Sequence, residues 1–362
     1  MTEALRLAAK GRGTASPNPM VGAVVVKQGR VIGQGFHLRP GLPHAEILAL
    51  RRAGAHSQGA TLYVTLEPCC HLNKRTPPCV PDVIRAGVSR VVIAMTDPNP
   101  SVKGRGIATL RRAGLSVTVG VGRRDAEELN RAYSYWTARK RPFVTLKAGM
   151  TLDGKIATVD GESKWITGPQ SRADAHRLRG QIDAVLAGIG TVLADDPALT
   201  VRTGPRLETL AQRQPLRVVV DSTLRIPLKA QILARQQQAK TLVATTDSAN
   251  ASRKRELVKR GIEVLILPSR YGKVSLPALM RELGQRGITS LLVEGGGELH
   301  AAMLKAKLVQ HVRLYVAPLL LGGGDAKGVI GGKSPSRLTS ALKLRNVKTR
   351  VVGDDLVVEG DL

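Results

Sequence analysis

The chain has 362 residues, which is long for a single hydrophobic core, so two domains are expected. Its formal net charge is +27, and aromatic residues make up only 2% of the sequence. The charge is spread along the chain, with 21 basic and 8 acidic residues up to position 140 and 34 and 20 beyond it. No basic tail or long Lys/Arg run stands out, and aromatic rings that could stack on bases are scarce. A generally basic proteome together with phosphorylated substrates therefore explains this charge better than nucleic-acid binding.

The sequence lacks the features of membrane insertion and export. No window approaches the roughly 18 consecutive apolar residues of a membrane span, and the first residues contain no apolar segment of signal-peptide length. All three cysteines lie between positions 69 and 79. An odd, clustered set of cysteines indicates metal binding or catalysis rather than a disulfide framework. We therefore expect a soluble cytoplasmic protein.

The first part of the chain alternates strands and helices, as in an α/β domain. Two apolar segments, 21–26 and 30–35, form a hairpin pattern. The elements expected after it are a helix over 44–53, a strand over 61–66, a helix over 81–86, a strand over 90–94, a helix over 106–113 and a strand over 116–121. A polar helix over 125–139 runs into a basic segment and a proline, where we place the domain boundary, at 140–143.

The second part repeats the α/β pattern from residue 143 onward. Its expected strands cover 143–148, 184–186, 216–221, 241–245, 263–267, 290–294, 312–317 and 355–359. Helical segments separate several of them, which predicts a second α/β domain.

A metal-binding pattern lies in the first part of the chain. His44 and Glu46 are followed by Pro68, Cys69 and then Cys79. Catalytic zinc takes three protein ligands and a water, whose pKa falls to about 7. A carboxylate beside the histidine ligand can move protons to a departing amine without binding the metal. This H-x-E…P-C arrangement is the mark of zinc-dependent nucleobase deaminases.

The two cysteines are ten residues apart, so the loop between them must fold back over the site. Each cysteine precedes a helix, and a helix N-terminus favours the thiolate form. Cys70 is an alternative ligand, disfavoured because adjacent side chains point apart. For His37, a hydrogen bond within its loop is favoured over a role at the metal.

Beyond this pattern, the chain resembles the bifunctional riboflavin-biosynthesis deaminase–reductase family over nearly its full length. The motifs that carry the resemblance in the first part are PNPMVG (17–22), PHAE (43–46), TLEPC (65–69) and RTPPC (75–79). Those in the second part are TLDGK (151–155), GES (161–163), WIT (165–167), GTVLADDP (190–197) and VEGGG (293–297). The resemblance implies a cytidine-deaminase-like three-layer α/β domain over 1–140 and a dihydrofolate-reductase-like α/β domain over 143–362.

The resemblance also implies two consecutive reactions. The first is zinc-dependent hydrolytic deamination of 2,5-diamino-6-(5-phosphoribosylamino)pyrimidin-4-one. The second is NADPH-dependent reduction of the ribosyl chain to give 5-amino-6-(5-phosphoribitylamino)uracil. Zn²⁺ and NADPH are thus the implied cofactors, and homo-oligomers assembled through the reductase halves are expected.

Matching the family motifs residue by residue implies two sets of site residues. In the deaminase half the metal ligands are His44, Cys69 and Cys79, Glu46 is the proton shuttle, and the substrate contacts are Asn18, His71 and Arg75. In the reductase half the cofactor contacts are Gly149, Trp165, Thr191, Asp195, Ser222, Gly296, Gly297, Glu298, Leu299, His300, Ala301 and Ala302. The positions around the phosphosugar are Ser163, Arg179, Leu199, Arg202 and Glu294.

Two other functions fit part of the sequence. A tRNA or other nucleic-acid base deaminase would suit the basic charge but leaves the second domain unexplained. A zinc-stabilised binding module would normally close its metal site with four ligands, and only three are apparent. NADPH binding by residues 143–362 is expected from the riboflavin-biosynthesis interpretation alone.

Overall fold

The computed structural model describes residues 1–72, 76–202 and 214–362. The chain divides into two compact units, Met1–Lys140 and Arg141–Leu362. Each unit has its own main sheet and its own apolar core. None of the helices in the described ranges has the length and apolarity that a membrane crossing requires.

The first unit is a mixed sheet with helices on its faces. Its strands are β1 (Gly22–Lys27), β2 (Arg30–Phe36), β3 (Thr61–Leu66), β4 (Arg90–Met95) and β5 (Ser116–Val119). Its helices are α1 (Thr2–Ala8), α2 (Ala45–Ala53), α3 (Cys79–Arg85), α4 (Arg105–Arg112), α5 (Arg123–Leu129) and α6 (Arg131–Arg139). The sheet order is β2-β1-β3-β4-β5, with β1 antiparallel to its neighbours and β3, β4 and β5 parallel.

Two glycines in β2 determine how closely α2 packs on the sheet. A Cβ atom at Gly33 would lie 2.1 Å from the carbonyl oxygen of Ala49, and one at Gly35 would lie 2.7 Å from that of Ala45. No larger residue fits at either position without moving the helix. The glycines therefore bring the first turn of α2, which carries the metal-binding motif, directly onto the sheet.

The polar helix expected over 125–139 is two helices that meet at Asn130. The Asn130 side chain is turned inward, where its Oδ1 accepts from the Met20 backbone N–H (2.8 Å) and its Nδ2 donates to the Met20 carbonyl (3.0 Å). Periodicity alone does not reveal this break, because its partner lies 110 residues away.

The second unit is built on a larger sheet. Its strands are β6 (Phe143–Thr151), β7 (Lys155–Ala157), β8 (Ala184–Gly188), β9 (Leu216–Val220), β10 (Thr241–Thr245), β11 (Glu263–Ile266), β12 (Ser269–Arg270), β13 (Lys273–Val274), β14 (Ser290–Val293), β15 (His311–Ala317), β16 (Lys327–Gly328), β17 (Arg345–Val352) and β18 (Asp355–Asp361). Its helices are α7 (Pro169–Arg179), α8 (Ile189–Asp195), α9 (Ala251–Lys259), α10 (Leu276–Gln285) and α11 (Gly297–Lys305).

The order of the main sheet is β11-β10-β9-β8-β14-β6-β15-β18-β17. In this order, each strand from β11 through β15 is parallel to its neighbour, and β18 and β17 follow as antiparallel strands. The carboxyl ends of the parallel strands share one edge, and β14 returns between β8 and β6. In open α/β sheets, such a reversal of strand order opens a ligand crevice at that edge.

Strand β17 was not among the expected elements. Its sequence, RNVKTRVV, is rich in polar and basic residues and is almost wholly exposed, so it lacks the apolar run of the buried strands. Pairing with β18 places it at the edge of the sheet. Tertiary pairing, rather than local pattern, produces this strand.

Candidate active sites

The metal-binding trio of the first unit is assembled in the structure. His44 is the N-cap of α2, Cys69 follows β3, and Cys79 opens α3. The His44 Nδ1 atom lies 3.5 Å from the Cys69 sulfur and 3.2 Å from the Cys79 sulfur. A tetrahedral zinc ion with ordinary bond lengths holds such ligand pairs about 3.5–3.8 Å apart. The three side chains therefore fit one zinc ion.

The other ring nitrogen of His44 orients the imidazole. Its Nε2 lies 3.1 Å from the Thr76 hydroxyl. With Nδ1 bound to a metal ion, Nε2 would carry the proton and donate to the Thr76 hydroxyl, the usual arrangement behind a metal-bound histidine. Sequence reasoning assigned no role to Thr76, although the RTPPC motif contains it.

The cysteine loop is closed by backbone contacts at its two ends. The backbone N–H groups of Cys79 and Val80 donate to the Cys69 carbonyl at 3.0 and 3.2 Å. The Cys79 N–H also lies 3.3 Å from the Cys69 sulfur, so the start of α3 supports that thiolate. Cys70 is half-buried, burial raises its pKa, and it does not belong to the trio among the residues described.

Glu46 lies in the first turn of α2 and is only 3% exposed. Its Oε2 atom has no hydrogen-bond partner within the described part of the chain. Burial raises the pKa of this carboxyl group. A buried oxygen of this kind next to the metal trio can accept a proton and release it again.

The residues predicted to contact the deaminase substrate have different surroundings. The Asn18 amide nitrogen lies 3.0 Å from His37 Nε2, and the His37 ring meets the His44 ring edge-on at 5.0 Å. The other nitrogen of His37 lies 3.4 Å from the Pro43 carbonyl oxygen, a contact within its own loop. His71 is half-buried beside the cysteines, and Arg75 lies outside the described residues.

A buried acidic pair behind the trio was missed by sequence reasoning. Glu67 accepts three backbone N–H bonds, from Asp97 (3.2 Å), Gly104 (3.0 Å) and Ile107 (3.1 Å). Asp97 in turn accepts from the Tyr133 hydroxyl at 3.0 Å, and burial raises the pKa of Asp97 to about 6. These contacts fix the loop that follows β4.

The second unit holds a buried ion-pair cluster at the carboxyl edge of its sheet. Arg179 donates to both Glu294 oxygens at 2.9 Å, and Lys147 donates to the same carboxylate at 3.3 Å. The side chains of Arg179 and Glu294 are each 9% exposed. Although burial alone would raise it, the charges of Arg179 and Lys147 hold the pKa of Glu294 well below its usual range.

This cluster changes what Arg179 can offer a ligand. Its third nitrogen donates to the Thr200 carbonyl at 2.7 Å, so the guanidinium is largely occupied within the protein. Lys147 was not predicted, yet a lysine inside β6, whose other residues carry no charge, is the kind of signal that indicates a function. Two cations around one carboxylate leave a net positive site.

His176 and Arg202 border the ion-pair cluster. Burial and the nearby charges of Arg179 and Arg202 lower the pKa of His176 to about 4, so its ring is neutral at pH 7. Arg202 is exposed, while the adjoining Leu199 is buried with a left-handed backbone (φ 49°). Arg202 thus lies close to the ion-pair cluster, whereas the Leu199 side chain packs in an apolar core.

The predicted cofactor residues lie at the ends of successive strands. The Thr191 hydroxyl at the start of α8 accepts from the Gly296 N–H at 3.0 Å, which ties the beginnings of α8 and α11 together. A Cβ atom at Gly297 would lie 2.5 Å from the Gly328 carbonyl oxygen, so glycine is required there. A Cβ atom at Gly149, on β6, would lie 3.0 Å from the Thr167 methyl group.

Residues 296–302 span two turns of α11 and face different directions. His300 is fully buried and its Nδ1 lies 2.8 Å from the Val329 carbonyl oxygen, while Leu299 packs against the core. Ala302 is exposed. The first turn of α11 comes directly after β14, so it is the part of this segment nearest the carboxyl edge of the sheet.

Three predicted residues of the second unit form a smaller group. Ser163 donates to the Asp195 carboxylate at 3.0 Å. Trp165 is 67% exposed, and the Arg172 guanidinium lies 4.6 Å from its ring centroid. Ser222 lies apart from this group, after β9, where its hydroxyl accepts from the Val274 N–H at 3.1 Å.

Comparisons with known proteins agree for both units. Residues 1–95 match the cytidine and deoxycytidylate deaminase zinc-binding region, and residues 142–358 match the RibD C-terminal domain. The riboflavin biosynthesis protein RibD of Aquifex aeolicus is 43% identical over 99% of this chain and 96% of its own length. That of Escherichia coli is 44% identical over 98% of this chain and 96% of its own. The chain belongs to the RibD family.

Solved structures of RibD proteins extend the match to three dimensions. Acinetobacter baumannii RibD superposes with a TM-score of 0.90 at 37% identity, covering 100% of this chain and 97% of that one. A Thermotoga maritima protein, described as a diaminohydroxyphosphoribosylaminopyrimidine deaminase/5-amino-6-(5-phosphoribosylamino)uracil reductase, gives a TM-score of 0.86 at 35% identity with the same coverage.

The family assignment confirms the predicted fold class, the two enzyme activities and the two cofactors. The chain is a bifunctional deaminase and reductase of riboflavin biosynthesis, with zinc in its deaminase region and NADPH as the reductant. The alternatives of a nucleic-acid base deaminase and a zinc-stabilised module are not supported, because neither accounts for a reductase domain over residues 142–358.

Proposed function

We propose that residues 1–140 deaminate 2,5-diamino-6-(5-phosphoribosylamino)pyrimidin-4-one and that residues 143–362 then reduce its ribosyl chain. The product is 5-amino-6-(5-phosphoribitylamino)uracil. The observation that carries the proposal is the metal trio with the buried Glu46 oxygen beside it, in a chain whose second unit has its own charged crevice. The description of the Thermotoga maritima protein as a deaminase and reductase of these two compounds supports the same pair of substrates.

In the deaminase unit, we assign the zinc ligands to His44, Cys69 and Cys79. Zinc bound there supplies a Lewis acid that makes water acidic enough to react near pH 7. Glu46 accepts a proton from the attacking water and passes it to the ring nitrogen. It then takes the proton that remains on the added hydroxyl and gives it to the amino group, which leaves as ammonia while the carbonyl forms. Asn18 and His71 flank the trio, where they orient the pyrimidine ring, and we assign Arg75 to the same substrate.

In the reductase unit, NADPH supplies the hydride. We assign its binding to the strand ends that carry Gly149, Thr191 and Ser222, to Trp165 and Asp195, and to the α11 segment 296–302. The substrate's phosphosugar lies against Ser163, Leu199 and the Lys147–Arg179–Glu294 cluster. Arg202 has no ion-pair partner among the residues described, and its exposed planar guanidinium suits the phosphate.

The protein works as a homo-oligomer, joined through its reductase units. The second unit exposes large apolar side chains on its edge strand β17 and just before it, namely Leu338 (90%), Val347 (54%) and Val351 (73%). An exposed strand edge is a template for pairing with another chain, and exposed apolar side chains beside it mark an interaction surface. Val351→Glu should lower the mass measured by light scattering, and an unchanged mass would contradict this interface.

We place the enzyme in the cytoplasm, acting on a phosphorylated pyrimidine and not on nucleic acid. The support is chemical: Cys69 and Cys79 must remain thiols to bind zinc, which suits a reducing compartment.

One incubation tests the proposed function. The purified protein is given the diaminopyrimidinone substrate with and without NADPH, and the products are identified by mass spectrometry. Without NADPH we expect a product in which oxygen has replaced the amino nitrogen. With NADPH we expect two further hydrogens in that product and matching NADPH oxidation. Unchanged substrate in both samples would refute the proposal.

A further inference from the structure

The cofactor contacts that we assign above form a row along the carboxyl edge of the large sheet. Across the sheet, Gly149 lies on β6, Gly296 follows β14, and Thr191 follows β8. Ser222 follows β9, so it marks the far end of this row. We place the nicotinamide over β6. The adenosine end of NADPH then lies at Ser222 and the neighbouring ends of β10 and β11.

A short hairpin closes over Ser222 at this end of the row. It consists of β12 and β13 and the turn between them, residues 269–274. The Val274 N–H donates to the Ser222 hydroxyl at 3.1 Å, which fixes the hairpin against the end of β9. The Ser222 carbonyl also accepts from the Thr246 hydroxyl at 2.8 Å, so the end of β10 joins the same corner.

The hairpin presents two cations side by side. Arg270 and Lys273 are directly paired in its register, and both are exposed. Among the described residues, neither forms an ion pair with a carboxylate. Other arginines of the surrounding elements do, because Arg253 and Arg260 pair with Glu256, and Arg286 pairs with Glu263 and Glu282.

The turn itself contains an unusual residue. Tyr271 and Gly272 both have left-handed backbones, with φ of 53° and 70°. Two-residue turns of this type favour Asn-Gly or Gly-Gly, and a bulky side chain at the first position is uncommon. Tyr271 is 90% exposed, and the Arg270 guanidinium lies 5.5 Å from its ring centroid. The ring thus holds Arg270 in place through a cation–π contact.

One acidic residue competes at this edge. Asp247 is exposed in the loop that follows β10. In dinucleotide-binding folds a carboxylate at such a position binds a ribose hydroxyl and favours NADH, whereas an arginine accommodates the 2′-phosphate. Two adjacent cations against one carboxylate favour the phosphorylated cofactor.

We propose that Arg270 and Lys273 bind the 2′-phosphate of NADPH and determine the preference for NADPH over NADH. Tyr271 is a positioning residue that keeps the Arg270 guanidinium directed at that phosphate. The proposal rests on the proposed placement of the cofactor along the sheet edge.

The test measures dissociation constants of NADPH and of NADH for the full-length protein by titration calorimetry. The test variant is Arg270→Ala/Lys273→Ala. Its matched control is Lys240→Ala/Lys259→Ala, which also removes two exposed cations. Lys240 precedes the first residue of β10 and Lys259 is the last residue of α9, so both lie at the ends of these elements away from the hairpin. Losing charge-assisted hydrogen bonds should weaken NADPH binding by about 10- to 100-fold. NADH binding should change by less than about twofold, and the control should resemble the wild type.

A second variant separates positioning from hairpin folding. Tyr271→Asn suits the left-handed turn and removes the ring, so the hairpin stays folded while the NADPH preference falls about three- to tenfold. Tyr271→Phe should keep the wild-type preference.

The outcomes distinguish this proposal from the proposed function. If the wild type binds NADPH and the double variant keeps the same NADPH-to-NADH ratio, the assignment of Arg270 and Lys273 is wrong while the reductase function stands. An equal loss of both cofactors would likewise contradict a role at the 2′-phosphate. If the wild type binds neither cofactor, the reductase function fails as well.

Discussion

The two units each bury one glutamate at the centre of their site, but they treat its charge in opposite ways. In the deaminase unit, Glu46 has an oxygen without a partner among the described residues, and burial raises its pKa. In the reductase unit, Glu294 lies between Arg179 and Lys147, which keep its pKa low. A carboxylate that can gain and lose a proton suits acid–base catalysis, whereas a permanently charged one suits the positioning of ligands.

The two sites also differ in how their residues are distributed along the chain. The deaminase ligands come from two short segments, around His44 and over 69–79. In the reductase cluster, Lys147 and Arg179 both contact Glu294, although they precede it in the sequence by 147 and 115 positions. Metal coordination is therefore visible in local spacing, while the crevice depends on the order of strands in a sheet. Variants in one site should leave the other site unaffected.

The largest effect is expected from Cys79→Ser. Serine is a poor zinc ligand, so this variant should lose its zinc and all zinc-dependent deamination. Cys70→Ser is the matched control, because Cys70 lies next to a ligand and outside the trio. Zinc is measured by atomic absorption after gel filtration. Equal zinc loss in both variants would show that the ligands are wrongly assigned.

Glu46→Gln should abolish most of the deamination without removing the metal. Losing a general acid–base group lowers a rate by about 10²–10⁴-fold, which corresponds to about 3–5 kcal/mol of barrier. We expect the upper end, because one carboxylate serves several proton transfers. NADPH oxidation with preformed deaminated intermediate should stay within about twofold of the wild type. A zinc-loaded variant that deaminates within tenfold of the wild type would exclude Glu46 as the shuttle.

Glu294→Gln should destabilise the reductase unit. The neutral side chain leaves Arg179 and Lys147 without their counter-charge, and breaking a buried pair in this way costs about 3–5 kcal/mol. Denaturant unfolding can be followed by Trp165 fluorescence in a Trp136→Phe background, since Trp136 lies in the first unit and the chain has two tryptophans. Deamination and zinc content should not change. An unfolding midpoint equal to that of the parent protein would contradict this account of the cluster.

The sequence predicted the parts of the molecule that depend on local pattern. The strands expected over 61–66 and 241–245 have the same bounds as β3 and β10. The ligand trio was readable because zinc imposes residue types and spacing. Thr76 and Lys147 were missed because their roles come from contacts with His44 and Glu294, far away in the sequence. For the same reason, periodicity did not reveal the helix break at Asn130 or the edge strand β17.

The smallest effect concerns pH, and its sign should differ between the units. Folding raises the pKa of Asp97 from 3.8 to about 6, so its contribution to stability is present below pH 4 and lost as pH rises through 6. Folding lowers the pKa of His176 from 6.5 to about 4, so its contribution is present above pH 6.5 and lost as pH falls through 4.

Neutral variants isolate these two contributions from other titrating groups. Between pH 4 and 7 the wild type should lose roughly 2–2.5 kcal/mol of unfolding free energy relative to Asp97→Asn. Relative to His176→Gln, the wild type should lose a similar amount of unfolding free energy as pH falls from 7 to 4. Differences that do not vary with pH would show that burial does not shift these two pKa values.

The central claim is that two separate sites in one chain act in sequence, and a complementation assay tests it most directly. Glu46→Gln and a reductase-impaired variant, Glu294→Gln, are each given the diaminopyrimidinone substrate and NADPH, alone and mixed in equal amounts. We predict that the first variant alone leaves the substrate unchanged and that the second alone accumulates the deaminated intermediate. The mixture should form the ribityl product at a rate near half that of the wild type. A mixture that forms no ribityl product, although each variant is folded and keeps its remaining activity, would contradict the account.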